Sequence, residues 1–367
     1  MLPQEKDLFN KRECKGMERE TRKIEDREFV WPQSECLAIE ITTRCNSSCS
    51  HCFVRARGAR KLSLAPNLVR MIVREGYEAG YRDLHITGGE PLIWDGLLGI
   101  FEYAITLGYQ KAFLNTNGTL LTGKISRKLA RYKGLTISVT LQGPKRFHDR
   151  IRGKGSYDRA LKGIMQAIDA GLAVHVFTPV GRSLIPEMPR FAEKLFIKIP
   201  DIQQLSLIQL IRVPGDLFDL SKEVLSPCDF LRLVRMISLL NLYGLNVDLL
   251  NNPLAAVASK ALKMPWVSRS PPLYRAGSVM ITAERRITVA HSTMDHFGIY
   301  KPGMLSKILS SDEYRRAVSQ DRSTCKDCLY VDLCSKEGMI RPSEWYRDMF
   351  PEVPYCRRVL AKASSYG

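Results

Sequence analysis

The sequence predicts an α/β fold in which helices accompany a parallel sheet, open or barrel-like. Short apolar runs of strand type alternate with segments whose apolar residues recur at helical spacing, and this alternation repeats six times between residues 37 and 209. Alternating strands and helices form parallel sheets, whose ligands gather at the carboxyl ends of the strands. We therefore expect the functional residues in the turns that follow the strands.

The first predicted strand covers residues 37–41 and leads into a cysteine-rich loop. The next five strands are predicted at residues 83–87, 111–115, 135–140, 173–178 and 204–209. Apolar residues at helical spacing predict the intervening helices around residues 68–79, 97–107, 125–129, 157–168 and 192–196. The loops after the strands thus lie on one face of the predicted sheet.

Length and composition indicate a folded chain with more than one part. The 367 residues, of which 45% are hydrophobic, suffice for one large domain and a smaller one. We predict a charged N-terminal arm or helix at residues 1–34, a main domain at 35–250 and a C-terminal domain at 251–367. The sequence has neither an apolar run long enough to cross a bilayer nor a secretion signal, which predicts a cytoplasmic protein without a membrane partner.

The formal net charge is +17 and the estimated pI about 9.5, a balance often found in proteins that bind polyanions. The N-terminal 35 residues mix both signs, whereas the densest cationic excess lies between Lys145 and Lys162. A solvated loop and helix face is one interpretation of that excess, and recognition of a carboxylate or phosphate is another.

Ten cysteines without a secretion signal favour metal or cluster ligation over disulfides. Cys45, Cys49 and Cys52 lie within eight residues, directly after the first strand. Three thiolates leave a tetrahedral site one ligand short, which suggests an iron–sulfur cluster with one iron open to a substrate or cofactor. The alternative is a zinc loop completed by His51 or Cys36.

Polar, glycine-containing turns follow the next three strands. Gly88, Gly89 and Glu90 follow the second strand, where glycines let the backbone approach a ligand and a carboxylate can pair with an ammonium group. Asn117 lies in the turn after the third strand, and Thr140 ends the fourth. We expect these turns to share one face with the cysteine loop.

The order of these motifs resembles the radical S-adenosylmethionine enzymes over roughly residues 35–215. The resemblance is carried by CNSSCSHC, GGEP, TNGT and the GP…HDRIRG stretch, each after its own strand. It implies a partial (β/α)6 barrel at residues 35–250. It also implies a [4Fe-4S] cluster on Cys45, Cys49 and Cys52, whose open iron is chelated by the amino and carboxylate groups of S-adenosylmethionine.

The resemblance further assigns the cofactor contacts. Glu90 and the Gly88 and Gly89 backbone are expected to hold the methionine ammonium, and Phe53 to lie by the adenine. Asn117 and Thr140 are expected near the ribose or carboxylate. Gln142 departs from the pattern, since related enzymes have an aspartate there, so a contact made elsewhere in the family is changed here.

A second cysteine group, Cys325, Cys328, Cys334 and Cys356, has a spacing that would suit a closed four-cysteine zinc site. It also resembles the C-terminal auxiliary-cluster domain of the SPASM group, which implies such a domain at residues 251–367. Ligands of a second auxiliary cluster are replaced by Tyr274, by His291 after a predicted strand at 286–290, and by Gly338. We therefore predict one auxiliary [4Fe-4S] cluster, with zinc as the alternative.

The implied reaction is reductive cleavage of S-adenosylmethionine to a 5′-deoxyadenosyl radical, which abstracts hydrogen from a substrate carbon. An electron donor such as flavodoxin or ferredoxin is the expected partner.

Peptide or protein modification is the first substrate class, although 35 residues before the barrel are too few for a separate leader-binding domain. An anionic small molecule, such as a tetrapyrrole in haem biosynthesis, is the second. A non-catalytic nucleic-acid-binding iron–sulfur protein is the third, and the sequence lacks the interleaved aromatic and basic residues of a binding groove.

Overall fold

The computed structural model describes residues 36–52, 54, 61–210, 221–264, 266–268, 277–290, 296–318, 325–334 and 355–365. In these residues the strands are β1 (Cys36–Glu40), β2 (Asp83–Thr87), β3 (Lys111–Thr116), β4 (Leu135–Thr140), β5 (Ala173–Val180), β6 (Gln204–Gln209), β7 (Val247–Leu249), β8 (Val279–Ile281) and β9 (Ile287–Thr288). The helices are α1 (Pro66–Glu78), α2 (Leu97–Leu107), α3 (Gly123–Leu129), α4 (Lys145–Arg152), α5 (Ser156–Asp169), α6 (Met188–Lys198), α7 (Pro227–Leu242), α8 (Leu254–Ala261), α9 (Leu305–Leu309), α10 (Asp312–Val318), α11 (Val331–Cys334) and α12 (Tyr355–Ser364).

The described strands form one sheet in the order β7-β6-β5-β4-β3-β2-β1-β8-β9. Strands β1 to β7 are mutually parallel and lie in chain order, β8 is parallel to β1 on its other side, and β9 is antiparallel to β8. The predicted α/β fold with a parallel sheet is confirmed. Strands β2, β4 and β6 have the predicted bounds, whereas β3 and β5 continue one and two residues further than predicted.

Strands β7 and β8 were not predicted from the sequence. Each has three residues, too few to show the two-residue alternation by which a strand is recognised. Their positions depend on pairing with distant strands, since Leu37 of β1 lies opposite Val279 of β8. Strand β8 therefore brings the chain beyond residue 250 into the same sheet as the first six strands.

Helix α4 is not among the predicted helices, since the cationic stretch 145–162 is interpreted only as a solvated loop and helix face. Six of its eight residues are charged or histidine, so the helical apolar repeat is hidden. The helix follows Pro144 and ends at Gly153, whose φ of 101° lies in the left-handed region. It carries much of the cationic excess noted above.

One large hydrophobic core extends through the described residues. It includes residues of every strand from β1 to β8, together with Tyr300, Leu305 and, from α12, Tyr355 and Val359. Helix α12 packs on α7 and α8, and the Tyr355 hydroxyl donates to the Leu225 carbonyl at 3.1 Å. Residues from the C-terminal third therefore stabilise the same core as the barrel strands. Within the described ranges, no helix combines the length and apolar character needed to span a membrane.

Candidate functional site

The cysteine loop leaves the carboxyl end of β1 and is fixed to the molecule at both sides. Thr43 donates its N–H to the Leu62 carbonyl at 2.9 Å, and Ser50 donates its N–H to the Ile151 carbonyl of α4 at 3.2 Å. Cys45 is exposed, while Cys49 and Cys52 are half-buried. The loop is thus held between the start of the barrel and the end of helix α4.

All three thiols line one cavity of about 360 Å³. Its wall also includes residues from the carboxyl ends or following turns of β2, β3 and β4: Thr87, Gly88, Gly89, Asn115, Asn117 and Thr140. The structure therefore brings the cysteine loop and three sequence-predicted turns to one place. The opposite wall comes from β5 to β9 and their turns, including Phe177, Gln209, Asn252 and Met280.

The glycine turn after β2 packs tightly on the chain that enters the cysteine loop. A Cβ atom on Gly88 would lie 2.5 Å from the Thr42 carbonyl oxygen, and one on Gly89 would lie 2.3 Å from that of Arg44. Gly89 donates its N–H to Thr42 at 2.6 Å, and Glu90 donates its N–H to Arg44 at 2.8 Å. Glycine is required here because the turn lies against the backbone of Thr42 and Arg44. Both glycines also line the cavity.

Glu90 is fully buried, and protein donors surround its carboxylate. It accepts hydrogen bonds from the Thr116 hydroxyl at 2.7 Å, the Asn117 N–H at 2.8 Å and the Leu92 N–H at 3.0 Å. Burial raises the pKa of this carboxyl, and the three donors counteract that effect. Of the described residues, those that line the cavity include Gly88 and Gly89 but not Glu90. Glu90 thus ties the β2 turn to the β3 turn behind the cavity wall.

Asn117 connects the β3 turn to the cysteine loop. Its side-chain Nδ2 donates to Asn46 Oδ1 at 2.7 Å and lies 3.9 Å from Cys45 Sγ. Its Oδ1 accepts from the Thr119 N–H and hydroxyl, and Asn46 Nδ2 donates to the Thr119 hydroxyl oxygen at 3.0 Å. This closed set of polar contacts orders the Cys45 end of the loop.

The electrostatics of Cys45 suit a positively charged ligand. Cys45 is exposed as a whole residue, but its thiol lies among protein atoms, and this desolvation raises its pKa to about 11. The charges of Glu90, Cys49 and Cys52 raise it further, while the Ser47 N–H lowers it. Such a thiol loses its proton at neutral pH to a metal or cluster, whose positive charge stabilises the thiolate.

Three thiols on one cavity match the donors that an iron–sulfur cluster uses. His51 and Cys36, the candidate fourth ligands of a zinc loop, line the same cavity. Burial, and then the nearby Arg152 charge, lower the pKa of His51 to about 4, so its imidazole is neutral at pH 7. Among the described residues, no three His, Cys, Asp or Glu side chains are arranged closely enough to bind a metal ion together.

Arg152 is a site residue that the sequence reasoning missed. It ends helix α4 and lines the cavity, and its Nε is buried without a hydrogen-bond partner in the described part of the chain. Of the described residues that line the cavity, none is an Asp, Glu or Lys, so Arg152 supplies the permanent charge there. The HDRIRG stretch contained this residue, but nothing local distinguished it from neighbouring exposed arginines.

Gln142, which departs from the family pattern, has a structural role. It is almost fully buried, and its Nε2 donates to the Pro179 carbonyl at 2.7 Å. Its backbone N–H donates to His148 Nδ1 at 3.1 Å. Gln142 therefore joins the turn after β4 to β5 through its side-chain amide and to α4 through its backbone N–H. Phe53, the predicted adenine neighbour, lies outside the described residues.

The C-terminal cysteines lie on α11, on α12 and in the turn that precedes α11. Cys325, Cys328, Cys334 and Cys356 are all half-buried, and Cys334 and Cys356 pack against the large core. Burial raises the pKa of Cys356, and the neighbouring Cys325 and Cys328 charges raise it further, so these three lie near one another. In the part of the chain that the structure describes, they do not form a ready metal-ligand group. Tyr274, His291 and Gly338 fall outside it.

Comparison with known proteins gives a family for the barrel. Residues 39–195 match the family described as Radical SAM superfamily. The AdoMet-dependent heme synthase of Methanosarcina barkeri is 31% identical over 205 residues, which are 54% of this chain and 56% of that protein. The mycofactocin maturase MftC of Mycolicibacterium smegmatis is 27% identical over 159 residues, 43% of this chain and 40% of that protein.

A solved structure of native anSMEcpe with bound AdoMet and Cp18Cys peptide has a similar fold, with a TM-score of 0.67 and 16% identity. The match covers 90% of this chain and 96% of that one. The chain spans about half the length of the curated relatives it matches. The family implies binding of S-adenosylmethionine and a [4Fe-4S] cluster. Residues 39–195 therefore match the Radical SAM superfamily, and the relatives reported above are named as enzymes.

Proposed function

We propose that the protein cleaves S-adenosylmethionine reductively and uses the resulting 5′-deoxyadenosyl radical to abstract hydrogen from a substrate carbon. The observation that carries this proposal is the position of Cys45, Cys49 and Cys52 on one cavity, together with the turns after β2, β3 and β4. A [4Fe-4S] cluster held by these thiolates would supply the electron that breaks the carbon–sulfur bond of the cofactor.

The residues around the thiols would position the cofactor. Gly88 and Gly89 offer backbone groups at the cavity wall, and Asn117 and Thr140 offer polar side chains. The Arg152 guanidinium would pair with the carboxylate of S-adenosylmethionine, since it is the cation on the described lining. Phe53 is retained as the adenine neighbour on the motif alone.

For Glu90 we propose a role different from the ammonium contact that the resemblance implies. Its carboxylate already accepts three protein hydrogen bonds and is fully buried, so direct pairing with the ammonium would require those contacts to be exchanged. We assign it the positioning of Asn117, and through Asn117 of Asn46 and Cys45. The ammonium contact is left to the backbone of the glycine turn.

We further propose one auxiliary [4Fe-4S] cluster on Cys325, Cys328, Cys334 and Cys356. The proximity of Cys325 and Cys328 to Cys356, which raises the pKa of Cys356, supports this grouping. The spacing of the four cysteines is equally compatible with zinc, which remains the alternative. A fully ligated cluster has no open iron, and its role would be electron transfer or substrate positioning.

Peptide modification is the substrate class we place first. The relative MftC is named a maturase, and the similar anSMEcpe fold was solved with a peptide. An anionic small molecule such as a tetrapyrrole is the second candidate, favoured by the heme synthase relatives and by Arg152 on the cavity wall. We assign the reaction to the cytoplasm, with flavodoxin or ferredoxin as the electron donor.

Anaerobic reconstitution tests the proposal directly. Two cubane clusters predict about eight iron and eight sulfide per chain, and replacing Cys45, Cys49 and Cys52 by Ala should leave about half. Dithionite-reduced protein should convert S-adenosylmethionine to 5′-deoxyadenosine, slowly, without substrate. Four iron with one zinc would refute the auxiliary cluster, and intact iron without 5′-deoxyadenosine would refute the reaction. Mass spectrometry of molecules that copurify anaerobically would then separate peptide from small-molecule substrates.

A further inference from the structure

We propose that a cationic rim around the cysteine loop docks an acidic one-electron carrier protein. The rim consists of Arg44, Arg150 and Lys154, all exposed residues. The inference rests on the proposed function, because it identifies the surface through which electrons would reach the cysteine loop. It adds a partner site outside the cavity.

The rim borders the loop through covalent and hydrogen-bonded neighbours. Arg44 directly precedes the exposed Cys45. Arg150 directly precedes Ile151, whose carbonyl accepts the hydrogen bond from the Ser50 N–H of the loop at 3.2 Å. Lys154 follows within the short turn between α4 and α5. A protein seated on these three residues would therefore face the cysteine loop.

The cations of the rim are available to a partner, whereas two neighbouring cations form ion pairs within the chain. Lys145 pairs with Asp158 and Arg146 with Glu187. In the described part of the chain, no ion pair involves Arg44, Arg150 or Lys154. The Arg150 guanidinium lies 5.0 Å from the Phe147 ring centroid, which holds it on the helix surface without neutralising it.

The acidic residue within this segment is bound to the start of α5. Asp149 accepts hydrogen bonds from the Gly155 and Tyr157 N–H groups, both at 2.9 Å, and so binds the start of α5. These bonds fix its carboxylate at the helix junction, where a single negative charge stands against the three cations of the rim. The rim keeps a positive field that would attract and orient an acidic partner.

An acidic protein is favoured over nucleic acid as the occupant. The rim lies beside the exposed part of a loop whose proposed cluster must receive electrons, which gives a carrier protein a reason to bind there. Nucleic-acid grooves combine cations with aromatic side chains on which bases stack. In the described residues, the aromatic ring beside the rim is Phe147, which is half-buried beneath Arg146 and Arg150.

The test compares two double variants of the reconstituted protein. Arg150→Glu with Lys154→Glu reverses the rim. Lys133→Glu with Lys198→Glu is the matched control, because both exposed lysines precede strands and so lie at the opposite edge of the sheet. Each pair lowers the formal net charge by four, from +17 to +13. The probe is a purified acidic bacterial flavodoxin, measured for binding in its oxidised form and for reduction of the protein in its reduced form.

We expect the rim variant to bind flavodoxin and to be reduced by it at least about tenfold more slowly at low ionic strength. The difference should shrink at about 0.3 M salt, where the Debye length is roughly 6 Å. Dithionite reduction and dithionite-driven 5′-deoxyadenosine formation should stay unchanged in both variants. Equal losses in the two variants would attribute the effect to net charge and overturn the proposal.

Two further outcomes distinguish carrier docking from nucleic-acid binding and from the proposed function. If the rim variant loses affinity for a DNA duplex but keeps flavodoxin binding, the surface is a polyanion site and the carrier proposal fails. If dithionite yields no 5′-deoxyadenosine in the wild type, the proposed function fails. Flavodoxin binding to the same preparation would then still decide whether the rim is a docking surface.

Discussion

Individual buried side chains define the candidate site through contacts with distant turns, and Glu90 is the central example. Glu90→Ala would leave the Thr116 hydroxyl and the N–H groups of Asn117 and Leu92 without an acceptor in a buried place. Each unsatisfied donor costs about 1–3 kcal/mol, so we expect a loss of about 3 kcal/mol or more in the free energy of unfolding. Urea unfolding of the apoprotein measures it, with exposed Glu102→Ala as control, expected within about 0.5 kcal/mol of wild type.

A second variant, Glu90→Gln, separates the two roles considered for Glu90. If Glu90 positions Asn117, then Asn117→Ala should weaken S-adenosylmethionine binding as Glu90→Gln does, and the double variant should be no worse than either single one. Additive losses in equilibrium binding would support direct contact between Glu90 and the ammonium instead.

His148 makes stability depend on pH. Its Nδ1 accepts the Gln142 N–H, and burial, then the Arg152 charge, lower its pKa to about 3. The unfolded histidine, with a pKa near 6.5, binds a proton that the folded one rejects, so stability falls as pH decreases from about 6.5 towards 3. Between pH 6.5 and 5 this histidine should contribute a loss of about 2 kcal/mol. His148→Gln, which keeps an acceptor, should reduce the slope of that part of the unfolding profile, to which His175 and His51 also contribute because burial lowers their pKa values. An unchanged slope would contradict the assignment.

At the scale of elements, the glycine turn after β2 is built to fit the chain entering the cysteine loop. Gly89→Ala would place a Cβ 2.3 Å from the Arg44 carbonyl and push the turn away from it. We expect a loss of about 1–3 kcal/mol, typical of overpacking, and weaker cluster retention because the loop would shift. Gly99→Ala in α2, where the nearest atom is 3.5 Å away, should be neutral or stabilising by up to about 1 kcal/mol. Thermal unfolding measures the stability of both variants, and iron content measures their cluster retention.

At the scale of the whole molecule, the C-terminal cysteines lie apart in sequence from the first loop, while α12 packs on the barrel helices. Cys328→Ala with Cys334→Ala should therefore preserve dithionite-driven 5′-deoxyadenosine formation but abolish product. Iron content should fall from about eight to about four per chain. Cys228→Ala, at the start of α7, serves as the thiol control and should change neither.

Circular dichroism and the spectrum of the first cluster show whether that double variant remains folded. Product formed at the wild-type rate by a folded double variant would exclude both an electron-transfer and a substrate-positioning role for the second group. Tyr274 and His291 would then be the next residues to substitute.

The sequence by itself determined the α/β class, six parallel strands and the turns that meet at the cavity. These features depend on local signals, namely apolar periodicity and glycine-rich motifs directly after strands, which are preserved in the order of residues. Strand bounds at β2, β4 and β6 follow from them. Helix α4 was not predicted because most of its residues are charged, so it lacks the helical repeat of apolar residues.

Only the tertiary structure decided how the turns depend on one another. Strand β8 pairs with β1 across some 240 residues, and Glu90 is enclosed by donors from the β3 turn, neither of which leaves a local pattern in the sequence. Arg152 likewise differs from Arg150 because one lines the cavity and the other faces solvent. Burial and hydrogen-bond satisfaction arise between segments distant in the chain, so the same residue types acquire different roles only when the fold brings those segments together.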